Sequence, residues 1–346
     1  MTSVSYRLSG SGSWQNLLPD ESSRQLYAKI YLAGASLSHV SGQLRQLLNS
    51  WQKAAIVKFK GQKVLPLGPI MMNSDLDILD PWFQDISASM CEAVLERLPE
   101  YHSLSSRLAG GRSTIKQELD NILTIQICAH TLDSCVFALL RKEMIGTYPS
   151  RGFAGNFFFW GYAFASGPKR IFGFTTYGSQ GVWPLHVIRS HDLNRRKIKA
   201  LLRDPDILDY ILYLHSTGQV NDEAVSGDYS YSGETGKIVD SLRDAGILDN
   251  KDPPHLAIPV FKDRDMASAI ELYQDVSLKI ITRFVAKMKD LKSLVGKCSF
   301  NLCSWPDIFC MLFHLAYSYA ADKLVERGTI PDFPQNADGK WGVWIR

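Results

Sequence analysis

Apolar residues recur at helical spacing along much of the chain. Leu26, Ile30, Ala33 and Leu37, then Leu44, Leu47, Leu48 and Trp51, predict helix over Asp20–Trp51, with breaks at Gly34 and Gly42. Ala55–Leu67 changes to short strand-like text that turns at Lys60-Gly61-Gln62. Asp80-Pro81 reads as the cap and first-turn proline of a helix through Phe83, Ile86, Met90, Val94 and Leu98. Thr114–Met144 is the longest helical pattern in the first half, with Ile115, Leu119, Ile122, Ile125, Cys128, Ala129, Leu132 and Val136 on its apolar side. Residues 1–145 are therefore expected to form a mainly helical domain.

The next stretch, 146–189, changes character. Twelve aromatic residues lie between Tyr148 and Trp183, punctuated by glycines, and SGPKR looks like a turn between the strands YAFA and IFGFTTY. An aromatic-rich antiparallel β segment, packed with the helical domain, is the expectation. Its rings serve as core or line an apolar cavity, and Arg151, Asn156, Trp160, Tyr162 and Arg189 would form that ligand pocket.

Residues 190–265 carry the most organised pattern. Helical text around Leu193–Leu202 is followed by DPDILDYILYLHSTG, a short polar segment, and a helix over Glu234–Ala245. Two short strands, Ile247–Leu248 and His255–Phe261, then flank the turn DNKDPP. The passage SLRDAGILDN resembles the third-helix-to-wing junction of winged-helix domains, where a glycine lets the chain leave the helix and enter a strand. Residues 266–346 hold a helical pair, Arg264–Val295 and Pro306–Arg327, and a tail. The expected object is a multi-domain α+β protein, mainly helical, with a winged helix and an aromatic β segment.

Charge refines the functional reading. Lys and Arg exceed Asp and Glu by 38 − 35 = +3 over 346 residues, which excludes a polycationic, histone-like protein. Basic residues concentrate locally: Arg189, Arg195, Arg196, Lys197, Lys199 and Arg203 form one run. Lys279, Arg283 and Lys287 form an i, i+4, i+8 stripe, with Lys289, Lys292 and Lys297 nearby. The helix that would enter the groove has Lys237 and Arg243 against Glu234, Asp240 and Asp244. Phosphates would therefore be gripped from outside that helix, by Arg195, Arg196, Lys199, Lys279, Arg283 and Lys287, with Lys237 and Arg243 contributing. The expectation is a protein that binds double-stranded DNA, an effector-responsive transcriptional regulator taking a small-molecule effector and compatible with a homodimer. A scaffold that uses its winged helix for protein contact is an alternative.

An enzyme is the other alternative. His186, His191 and Asp192 beside Arg151, Asn156 and Arg189 could supply a general base and an anion hold. Cys298, Cys303, Cys310 and His314 could build a zinc site, but they lack the close C-x-x-C knuckle and lie in apolar text, so core cysteines are expected. Asp75, Asp77 and Asp80 read as turn and cap residues. SGDYSYSGETGKI misses both the leading glycine and the magnesium-binding hydroxyl of a phosphate loop. No cofactor is called for. The longest greasy windows, FFFWGYAFA and IFCMLFHLAY, are too short to span a bilayer, and the six cysteines are too few for a disulfide scaffold. These features lead to the expectation of a cytoplasmic protein with no membrane partner.

Overall fold

The computed structural model describes residues 4–12, 14–108, 116–164, 167–169, 171, 173–177, 185–189, 239–240, 242–243, 248, 260–332 and 340–345. The fold is mixed α+β and mainly helical, with an aromatic-rich β sheet. The chain divides into two units. One comprises Met1–Ala88, Phe137–Lys169 and Ile281–Tyr319, the other Ser89–Val136, Arg170–Ile280 and Ala320–Arg346.

In the first unit, Asp20 caps α1 (Glu21–Ala33) by accepting from the Ser23 N–H, while the Ser23 hydroxyl accepts from the Asp20 N–H. Gly34, at φ +71°, ends the helix, and α2 (Gly42–Lys53) follows after strand β2 (Ala35–Ser36). The predicted turn at Lys60-Gly61-Gln62 joins β3 (Val57–Lys60) to β4 (Lys63–Pro66), with Gly61 at φ +60°. These strands make a sheet of order β2-β4-β3.

A second sheet has the order β1-β6-β5. Its strands are β1 (Ser5–Gly12), β5 (Ile70–Met72) and β6 (Gly155–Ala163). β6 runs antiparallel to β1, pairing Leu8 with Phe159, and parallel to β5. Phe157, Phe158, Phe159 and Trp160 on β6 are all buried. Tyr6, Tyr27, Trp51, Phe157 and Phe159 share one core, where the Tyr27 hydroxyl meets the Ile56 and Gly68 backbone and the Trp51 indole donates to the Leu17 carbonyl. These four rings of β6 thus serve as core.

The helix expected to start at Pro81 starts earlier. Helix α3 (Asn73–Leu95) carries Pro81 inside it. Buried Asp75 determines the start by accepting from the Met72 N–H, and it also accepts from the Ser299 N–H and hydroxyl. Asp80 has a different role, accepting from the Gln84 side chain one turn on.

The second unit is built on α4 (Leu98–Leu108), α5 (Lys116–Thr124) and a π-helix over Ile125–Cys135, after which α6 (Val136–Met144) returns to α geometry. The predicted Thr114–Met144 helix is therefore helical where described, but its middle is wound more widely. Leu119–Met144 is long and apolar enough, by length and composition alone, to cross a membrane. Of its most apolar window, 78% is buried within the protein, as for a core helix.

Later in the chain come α7 (Asp263–Ala286), α8 (Met288–Val295) and α9 (Trp305–Glu326), close to the predicted C-terminal pair. A four-stranded sheet has the order β7-β8-β10-β9, from β7 (Gly173–Tyr177), β8 (Leu185–Arg189), β9 (Val260–Lys262) and β10 (Lys340–Ile345). Among the described residues, the strands that cover YAFA and IFGFTTY belong to different sheets rather than to the expected hairpin. β6 bonds to β1 and β5, whereas β7 pairs antiparallel with β8. Most of the predicted winged helix lies outside the described residues. The described end of its second wing strand, β9, runs parallel beside β10.

Candidate functional site

Helix α7 buries Ala269, Tyr273, Val276, Ile280 and Phe284 at helical spacing, which leaves Lys279 and Arg283 on its solvent side. Lys279 Nζ lies 2.7 Å from Glu96 Oε2, with the two side chains 48% and 60% exposed. Lys287, the N-cap of α8, places Nζ 2.9 Å from Asp85 Oδ2. The Asp85 carboxylate raises the Lys287 pKa above the usual ammonium value, through its hydrogen bond first and its charge second. Arg283 is exposed. The structure thus places all three predicted stripe residues at the surface, two of them already holding a carboxylate. Arg243 stands 4.0 Å from Asp240 in a short helical piece. Arg195, Arg196, Lys199, Lys237, His191 and Asp192 lie outside the described residues. His186 and Arg189 are on β8.

Of the residues expected to line a ligand pocket, Arg151 is held by structural partners. Arg151 is 1% exposed and fully engaged: Nη2 donates to both Asp307 oxygens at 2.6 and 2.7 Å, Nε to Phe157 O, and Nη1 to Ala55 O. Asp307 Oδ1 also accepts from the Phe159 N–H at 2.8 Å, tying α9 to β6. Burial pushes the Asp307 carboxyl above the usual carboxylate range, while Arg151 and the Phe159 amide pull it down. Trp160 is buried in the same unit with its indole 6.1 Å from the His314 ring, whereas Asn156 is exposed and Tyr162 is half-buried.

Cys310 and His314 meet within α9, where His314 Nδ1 is 2.7 Å from the Cys310 carbonyl. Among the described residues no group of three His, Cys, Asp or Glu side chains could hold a metal ion. Burial pushes the Cys298 and Cys303 thiols up to about 12, which keeps them protonated.

Sequence reasoning missed a polar seam in the second unit. Gln126, His130, Thr131 and Asp133 are buried on the π-helix. The Thr131 hydroxyl donates to the Gln126 carbonyl five residues back, and the Tyr101 hydroxyl donates to Thr131 at 2.7 Å. Gln126 Nε2 donates to Ser105 Oγ at 2.7 Å, and Ser105 donates to the Tyr101 carbonyl. The Tyr273 ring of α7 stacks on Tyr101 and on His130, with centroids 6.2 and 5.6 Å apart. Wide π turns of this kind are frequent at functional sites.

On the solvent side of the same helices is a cleft of about 350 Å³ lined by Arg97, Glu100, Leu104 and Arg107 of the α4 segment and Ser268, Glu271, Leu272 and Asp275 of α7. Arg97 pairs with Asp275 and Arg107 reaches Ser268, so the two helices run antiparallel along it. Arg97 Nε donates to Glu100 at 2.7 Å, and that hydrogen bond holds the Glu100 carboxyl below the usual range. The cleft offers a charged rim over an apolar floor of Leu104 and Leu272. The i, i+3 pair Arg97/Glu100 was a legible signal, whereas Lys279 and Glu96 are 183 residues apart and nothing local connects them.

No protein-family model matches this chain, and no curated protein or solved structure matches it either.

Proposed function

We propose that this protein binds double-stranded DNA, as an effector-responsive regulator whose 190–265 segment is a winged helix. The observation that carries the reading is the exposed basic stripe Lys279, Arg283 and Lys287. Its two ion pairs are solvent-exposed and screened by salt, so a phosphate can displace either carboxylate. Phosphate contacts from Arg195, Arg196, Lys199, Lys237 and Arg243 would complete the surface. The acidic balance of the 234–245 helix assigns most of the binding to backbone contacts rather than to base reading.

The test replaces the three stripe residues together, Lys279→Gln/Arg283→Gln/Lys287→Gln, and measures binding to a fluorescent random duplex across a salt series. Losing three phosphate contacts should flatten the slope of log K against log salt by about 3. Equal affinity and equal slope in the two proteins would overturn the reading. The effector part rests on the α4–α7 cleft, whose volume lies in the range of small-molecule sites and whose floor adjoins the polar π-helix seam.

A further inference from the structure

We infer that Glu96 and Asp85 are carboxylate guards that occupy Lys279 and Lys287 in place of DNA phosphates and limit the affinity of the protein for any duplex. The inference rests on the DNA-binding reading and adds residues that oppose it. Each pair is contained within one unit: Lys279 Nζ to Glu96 Oε2 at 2.7 Å in the second, Lys287 Nζ to Asp85 Oδ2 at 2.9 Å in the first. These are the distances at which an ammonium donates to a phosphate oxygen, so guard and phosphate compete for the same protons.

Both carboxylates lie at the surface, 60% and 50% exposed, and neither packs in the core. Their removal should therefore leave the fold intact. Lys279 also acts on Glu100, whose own hydrogen-bond partner is Arg97, so the second-unit guard belongs to an alternating charge network. Around Lys287 the other charges are Asp290, which adds to the hold, and Arg283, which opposes it. A duplex engaging either lysine must break that lysine's carboxylate bond. The cost limits nonspecific binding and leaves sequence-dependent contacts elsewhere to decide where the protein stays.

The experiment compares the wild type with Glu96→Gln, Asp85→Asn and the double variant on a fluorescent random duplex, from about 50 to 200 mM salt. Each guard removed should raise affinity about threefold to fivefold across this range with the salt slope nearly unchanged, because in the wild type the lysine still reaches its phosphate once the carboxylate is displaced. Glu143→Gln is the control. It removes the same charge from an exposed position on α6, outside the cleft and outside the stripe's ion pairs, and should change affinity less than about twofold. Unchanged melting temperatures check that all the variants fold.

Wild-type binding that the guard variants fail to tighten would overturn the guards and leave the DNA reading standing. A gain in Glu143→Gln equal to that of the guards would also overturn them, by assigning the effect to net charge. Absence of binding by every protein at the lowest salt would remove the DNA reading itself, and the guards with it.

Discussion

Arg151 looks in the sequence like a cation waiting for an anionic ligand, and in the fold it is a fully engaged structural group. Its guanidinium satisfies Asp307 with two bonds and backbone carbonyls with the rest. Asp307→Ala would leave that charge buried and unpaired, at an expected cost of about 3–5 kcal/mol read from the urea midpoint. Replacing both partners with apolar residues should recover only part of the loss, because the Ala55 and Phe157 carbonyls would lose their donor. The expectation that cysteines here behave as core hydrophobes also has a chemical consequence. Burial pushes Cys91 and Cys135 up to about 11 and Cys298 and Cys303 up to about 12. At pH 7.5 even the half-buried Cys135 and Cys303 should alkylate with iodoacetamide at least about a hundredfold more slowly than free cysteine. A fast-reacting thiol at either position would contradict their assigned surroundings.

At the scale of elements, what was legible depended on how local the cause was. Gly34 and Gly61 marked a helix end and a turn because a positive φ is a property of a single residue. The start of α3 was misplaced because Asp80-Pro81 mimics a cap, whereas Asp75 is fixed from both sides, by Met72 nearby and by Ser299 far along the chain. The hairpin expected between YAFA and IFGFTTY was misread because strand pairing is non-local, and β6 pairs with β1 and β5. The π-helix was invisible because apolar residues at Ile122, Ile125, Cys128 and Leu132 fit an ordinary α period. Its polar members, Gln126 and Thr131, show their role only once Tyr101 and Ser105 stand against them. Thr131→Val removes the group that accepts from the buried Tyr101 hydroxyl and should cost about 1–3 kcal/mol, whereas Thr131→Ser should cost less. Equal losses in both variants would mean that methyl packing, not the hydroxyl, holds the seam. Helix α1 offers a pH test. The Ser23 backbone N–H lowers the Asp20 pKa below its ordinary 3.8. The carboxylate therefore stabilises the fold above that value, and its contribution is lost as pH falls through the lower folded value. The stability gap between wild type and Asp20→Asn should accordingly narrow below about pH 4, as followed by thermal melts.

For the whole molecule, a net charge of +3 conceals an organised surface. Lys279 and Lys287 are presented to solvent by the α7–α8 segment, and each meets a carboxylate from a distant part of the chain. A sequence reading could find the stripe through its four-residue spacing. It could not find Glu96 and Asp85, since only the fold brings them to the lysines. The same separation of scales applies to the cleft in the second unit, where Arg97 and Glu100 are neighbours in sequence but Asp275 comes from α7. The central claim, that basic side chains on this surface take up DNA phosphates, is tested most directly by wild-type affinity for a random duplex as a function of salt. Three contacts from the stripe alone should give a slope of log K against log salt near −3, and all eight proposed contacts a slope near −7. Absence of binding at about 20 mM salt, or an affinity indifferent to salt, would contradict it.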